Sequence, residues 1–141
     1  LGLLYYNGQG VPQDYTKARQ WFEKSAVQGH ARAQYNLGVL HDFGKGVPQD
    51  FATAREWYEK AAAQGHAGAQ NNLGGLYEFG HGMPQDYVRA YMWYNIAATN
   101  PTGDAHKDVG AENRDEIAGR MTSAQIAEAQ KLAREWKPLK K

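Results

Sequence analysis

The 141-residue chain carries 16 basic and 15 acidic residues, for a formal net charge of +1. It offers no basic stripe for a phosphate backbone, so a nucleic-acid partner is not expected. The absence of cysteine removes disulfides, thiolate metal sites and thiol nucleophiles while leaving the compartment open. No apolar run approaches the ~20 residues that cross a bilayer.

In chain order, Leu1-Gly2 opens a pattern that returns at Leu37-Gly38 and Leu73-Gly74, a step of 36 residues. Gly8 and Gly10 return as Gly44 and Gly46 and as Gly80 and Gly82. Val11-Pro12-Gln13-Asp14 returns as Val47-Pro48-Gln49-Asp50 and Met83-Pro84-Gln85-Asp86, and Ala18 and Trp21 keep the same step. A fixed period in this range marks a stacked-repeat protein, in which each unit buries its apolar face only against its neighbours. Leu1 falls in mid-repeat. An upstream segment is therefore expected, with a first helix lacking its N-terminal half and an edge that is frayed or covered.

Within the second copy, Ala33, Leu37, Leu40 and Phe43 recur at three- and four-residue steps, which predicts a helix with one face on a core. The recurring glycine after leucine costs roughly 1 kcal/mol in a helix relative to alanine, so it implies a close approach by a neighbouring helix. Gly44 and Gly46 break the helix, Pro48 stops its continuation, and Asp50 is placed to cap the next one. That second helix sets Phe51, Ala54, Trp57, Tyr58, Ala61 and Ala62 against Thr53, Arg55, Glu56, Glu59, Lys60 and Gln64, an amphipathic division. The tryptophans are expected between the layers.

The third copy loses its polar outside: the residues at the places of Arg55, Glu56 and Lys60 are Tyr91, Met92 and Ile96. Something should cover them, and the remaining chain is the candidate. Ala105, Val109, Gly110, Ile117 and Met121 mark a degenerate helix. Thr122-x-x-Gln125 is a capping box opening a last one, with Ile126, Ala129, Ala133 and Trp136 on one stripe and Pro138 at its end. The domain division is a truncated repeat 1–30, repeats 31–66 and 67–102, and a degenerate repeat with cap at 103–141. Six repeat helices are predicted near 1–7, 14–28, 31–43, 50–64, 67–79 and 86–99. Two cap helices are predicted near 104–119 and 123–137, and no strand.

The set Ala33, Leu37-Gly38, Gly44-x-Gly46-Val47-Pro48-x-Asp50, Ala54, Trp57-Tyr58, Ala61-Ala62 and Gly65-x-Ala67 resembles the Sel-1-like repeat family, a tetratricopeptide-like group with a longer turn between its paired helices. The resemblance spans residues 1 to about 100 strongly and 101 to 121 weakly. It implies an all-α fold, a right-handed α/α superhelical solenoid that adapts or scaffolds protein complexes in signalling or the bacterial cell envelope, with periplasm ahead of cytoplasm. His41 departs from the aromatic that Tyr5 and Tyr77 hold in the other copies.

By the same resemblance the first helices line a concave groove. Tyr6, Tyr35, Asn36, Val39, Asp42, Asn71, Asn72 and Glu78 are the candidate partner-binding residues. Tyr6, Tyr35, Asp42 and Glu78 differ between copies and are the candidates for specificity, whereas the recurring Asn36 and Asn72 fit structural hydrogen bonding equally well. No catalytic residue, metal site or cofactor is expected. Ser25 and Ser123 lack a histidine at a suggestive spacing, and His30 and His66, one repeat apart in the same Gln-Gly-His turn, fit a turn hydrogen bond. The reading is a monomeric, non-enzymatic interaction module for a peptide or partner domain, with association through the uncapped N-terminal edge as a further route. The alternatives are a cell-envelope enzyme or small-ligand protein of the same family, and a structural spacer in a longer chain.

Overall fold

The computed structural model describes residues 2–8, 14–100 and 105–138. The Val11-Pro12-Gln13 turn, residues 101–104, Lys140 and Lys141, and the side chains of Leu4, Tyr5, Ala105 and His106 lie outside the described residues. Eight helices are described: α1 (Gly2–Asn7), α2 (Tyr15–Val27), α3 (Ala31–Phe43), α4 (Phe51–Ala63), α5 (Ala67–Phe79), α6 (Tyr87–Ala98), α7 (Ala105–Ala118) and α8 (Ser123–Glu135). Every one falls within two residues of its predicted place, and the described residues contain no strand.

The turn chemistry explains the boundaries. Asp14, Asp50 and Asp86 each accept a hydrogen bond from the backbone N–H three residues on, at 3.0, 3.1 and 3.0 Å, which starts α2, α4 and α6. Gly44 and Gly80 end α3 and α5 in the left-handed region at φ 67°, where a side chain would be strained. Within the turns, Gln49 and Gln85 donate to the carbonyls of Asp42 and Glu78 at 2.7 and 2.8 Å. The turn is thereby tied to the helix it follows. His66 caps α5 through Nδ1, which accepts from the Ala69 N–H at 3.1 Å. His30, at the same place before α3, makes no side-chain cap.

Helices α3 and α4 pair, as do α5 and α6, and each pair stacks on the next. Three buried clusters result, between α2 and α3, between α4 and α5, and between α6 and the pair α7 and α8. The second holds Tyr58 with Ala54, Ala61, Ala62, Leu73 and Leu76. The recurring Leu-Gly pair is explained by the ring opposite: a Cβ on Gly38 would lie 2.5 Å from Tyr58, one on Gly74 2.7 Å from Tyr94, and one on Gly2 2.5 Å from Phe22. Each aromatic ring lies directly on the helix backbone.

The expectation for the tryptophans holds at two of the three repeat positions: Trp57 and Trp93 pack, partly buried, on the cluster of the preceding layer. Trp21 is 38% exposed, and Lys24 and Lys60 hold their ammonium groups 5.0 and 4.6 Å from the Trp21 and Trp57 rings. The position one residue later, Phe22, Tyr58 or Tyr94, faces the glycine and fills the layer. Phe43 is not in the core: it and Phe79 are 62% exposed, because each ends its helix just before the left-handed glycine.

A second recurring device is polar. Gln34 donates to the Ala26 carbonyl at 3.3 Å and accepts from Gln64 at 2.8 Å. One repeat on, Gln70 donates to the Ala62 carbonyl at 3.2 Å and accepts from Asn100 at 3.4 Å. Buried amides thus join each unit to the next with their donors and acceptors matched.

At the C-terminus, α8 packs on α6. Its capping box forms, with Thr122 and Gln125 exchanging bonds of 2.9 and 3.1 Å. Trp136 meets Trp93 edge-on at 5.9 Å, taking the place that lysine holds over Trp21 and Trp57. The fully buried residue of α8 is Ala129, while Ile126 and Trp136 are partly buried. A small residue lets the two helices approach closely.

Candidate functional site: a trough across three first helices

Helices α3, α5 and α7 stand side by side and frame an open trough of about 410 Å³. Asp42 and Phe43 come from α3; Asn71, Asn72, Gly75, Leu76, Glu78 and Phe79 from α5; Val109, Asn113 and Glu116 from α7; His81 and Tyr94 complete the lining. The lining holds three carboxylates, three side-chain amides and one imidazole. Around it Phe43 and Phe79 are 62% exposed and Val109 is 44% exposed, so the trough is flanked by apolar side chains left in water. Monomeric proteins seldom leave such groups clustered without a use for them.

The carboxylates are positioned from below. The Tyr58 hydroxyl donates to Asp42 Oδ2 at 2.9 Å, and the Tyr94 hydroxyl donates to Glu78 Oε1 at 2.7 Å. Both tyrosines sit one repeat apart, as do both acids. Burial first, and the neighbouring carboxylate next, push both phenols well above their ordinary range, so each remains a donor. Asn72 Nδ2 adds a bond to the Tyr58 oxygen at 3.3 Å. Burial also raises the Asp42 carboxyl, against the Tyr58 hydrogen bond and His81, which lower it. Arg120 approaches Glu78 Oε2 at 4.0 Å. Copy one carries Tyr6 and Phe22 at the corresponding places, so the carboxylate and the hydroxyl that holds it are absent together.

Of the eight sequence candidates, Asp42, Asn71, Asn72 and Glu78 line the trough. The other four do not. Tyr35 is partly buried against the second cluster and stacks on His66 at 4.7 Å, and Val39 packs on the same cluster. Tyr6 lies beside Tyr15 at 5.4 Å, and its hydroxyl accepts from Lys45 Nζ at 3.1 Å. Asn36 borders a separate cavity of about 300 Å³ between α1, α2 and α3.

Sequence reasoning missed Phe43, Phe79, Val109, His81, Asn113 and Glu116. The two phenylalanines recur, and recurrence reads as core. Val109 fits an apolar stripe on α7 yet points into the trough. His81 was legible as a departure: it takes the place of Lys45, and its ring stacks on Phe51 at 4.4 Å.

Comparisons with known proteins place the chain. The Sel1 repeat family matches residues 1–30, 31–66 and 67–101. The solved structure of c5321, a protective antigen of uropathogenic Escherichia coli strains displaying an SLR fold, is similar with a TM-score of 0.87 and 38% identity, over 96% of this chain and 28% of that one. A Sel1 repeat protein from Oxalobacter formigenes is similar with a TM-score of 0.73 and 37% identity, over 82% of this chain and 46% of that one. The chain thus spans between a quarter and a half of these relatives. Among curated proteins none matches. With three matched repeats and the same helical solenoid, the chain belongs to the Sel1 repeat family.

Proposed function

We propose that the chain is a non-enzymatic protein-interaction module that binds a peptide segment of a partner in the α3–α5–α7 trough. The observation that carries this reading is the exposure of Phe43, Phe79 and Val109 around an open trough with an ordered polar floor. Interfaces draw most of their energy from a few large apolar anchors surrounded by polar groups that fix register. Asp42 and Glu78 are each engaged by a tyrosine in a geometry repeated between copies, which suits a scaffold position better than a reacting group. Tyr35 lies 6.1 Å from the ring of Tyr58, which holds Asp42, and Val39 packs on the same cluster.

The test is selection of binders from a random peptide library, followed by affinity measurements on two paired variants. Phe43→Ser/Phe79→Ser should abolish capture, and Glu56→Lys/Lys60→Glu on the opposite face should leave it intact. If only the second pair abolishes capture, the trough is not the binding surface.

A further inference from the structure

The trough has a sign as well as a shape. Its lining contains Asp42, Glu78 and Glu116 but, among the described residues, no lysine or arginine. Arg120 touches Glu78 from outside at 4.0 Å and is itself largely exposed. Among the described residues His81 is the one basic group in the lining, held against Phe51 and Phe79 with ring distances of 4.4 and 5.9 Å. A chain that is nearly neutral as a whole has thus gathered an excess of carboxylates where its exposed phenylalanines stand. The burial that raises the Asp42 carboxyl means that ionised Asp42 is maintained against a desolvation cost, which a cationic ligand would offset.

The molecule also shows how its rings receive an ammonium. Lys45 Nζ lies 5.2 Å from the Tyr6 ring, 5.6 Å from Tyr15 and 6.0 Å from Phe43. Its hydrogen bond to the Tyr6 hydroxyl closes the cage. Phe43 therefore stands between an ammonium already housed on one side and the carboxylates of the trough on the other. At the next unit the aromatic places are kept as Phe51 and Phe79, the phenol becomes Asp42 and the ammonium becomes His81. That second station has more negative charge and a weaker resident cation than the first.

Building on the proposed trough, we infer that its occupant is an extended segment of a partner protein in which a lysine or arginine is next to a bulky apolar residue. The cation lies against Asp42 and Glu116, and the apolar neighbour packs on Phe43 or Phe79. Charge complementarity of this kind sets selectivity and encounter rate. The flanking rings add cation–π attraction.

The composition of peptides enriched from a random octapeptide library supplies the test, followed by fluorescence polarisation with one enriched, labelled peptide. Enriched sequences should carry lysine or arginine beside an apolar residue. Replacing that cation by norleucine should weaken binding about tenfold, and raising salt from about 50 to about 500 mM should weaken it as well. Asp42→Asn/Glu116→Gln should cost about tenfold in affinity for the cationic peptide and nothing for its norleucine form, with the helical circular dichroism unchanged. Enrichment of acidic or uncharged peptides, or full affinity in Asp42→Asn/Glu116→Gln, overturns the inference. If Phe43→Ser/Phe79→Ser still abolishes binding in that case, the trough stands and only its charge preference falls. A selection that yields no binder overturns both.

Discussion

Gly74 and Gly75 are neighbours on α5, and replacing each by alanine should move stability in opposite directions. In an exposed helix the change would add roughly 1 kcal/mol, because alanine restricts the unfolded chain and favours the helix. At Gly74 the new methyl would sit 2.7 Å from two atoms of the Tyr94 ring and 3.2 Å from the Ala90 carbonyl oxygen. The carbonyl belongs to a helix backbone, and the ring is 2% exposed with its hydroxyl fixed on Glu78. Neither can withdraw cheaply. Overpacking of that kind costs about 1–3 kcal/mol, which leaves Gly74→Ala destabilised by up to about 2 kcal/mol once the helix gain is subtracted. At Gly75 the nearest atom is the Tyr94 hydroxyl oxygen at 3.7 Å, an ordinary contact, and the preceding unit carries Val39 there. Gly75→Ala should gain up to about 1 kcal/mol. Thermal unfolding monitored by circular dichroism reads both, with melting points shifting by roughly 3–5 °C per kcal/mol. A Gly74→Ala protein as stable as the parent would refute the ring-on-backbone account of the Leu-Gly pair.

Truncation before Thr122 removes α8 and uncovers Tyr91, Trp93 and Ile96; the shortened chain should bind a hydrophobic dye and self-associate in gel filtration, and a monomer of parental stability would contradict this. Tyr94→Phe deprives the nearly buried Glu78 of its donor and should cost about 1–3 kcal/mol although the ring still fits, as Phe22 does in copy one; a loss within measurement error would mean the bond is incidental. His41 is held below its ordinary value, first by burial and also by Arg19, against Asp50 and Glu23, which raise it. The folded state therefore favours the neutral imidazole, so stability should be full above about pH 6.5 and fall as the pH drops from there through the folded value. His41→Tyr, which restores the residue type of Tyr77, should remove part of that fall; parallel pH profiles for the two proteins would exclude His41 as its source.

The period of 36 residues made the helices, their caps and the stacking legible, because each depends on residue types at fixed spacing. The cap was legible from a different signal, the loss of lysine at Ile96. Side-chain direction was not legible. Trp57 and Tyr58 are adjacent aromatic residues, and only the backbone of Gly38 decides which one is buried. Phe43 recurs like a core residue but ends a helix, where no neighbouring helix covers it. Half of the candidate residues lie in the trough, and variation between copies coincides with its lining at Asp42 and Glu78. The same criterion selects Tyr35, which lies outside the trough lining and stacks on His66. The pairing of Asp42 with Tyr58 was visible in principle, since both change together in copy one. It became recognisable only once the sixteen-residue separation was closed in space.

The amide chain through Gln34, Gln64, Gln70 and Asn100 gives the architecture a standard coupling. Each first-helix glutamine donates to a carbonyl near the end of the preceding unit's second helix, Ala26 or Ala62, and the amide closing its own unit, Gln64 or Asn100, donates to its oxygen. Copying a block of 36 codons in tandem therefore creates a joint already matched on both sides, with no interface to redesign. Length becomes the easiest property of such a protein to change by recombination, and the number of stations along the trough changes with it. Asn100 marks where the series stops: one methylene shorter than Gln64, its amide bonds the Gly65 carbonyl at 2.7 Å, and the chain beyond departs from the repeat.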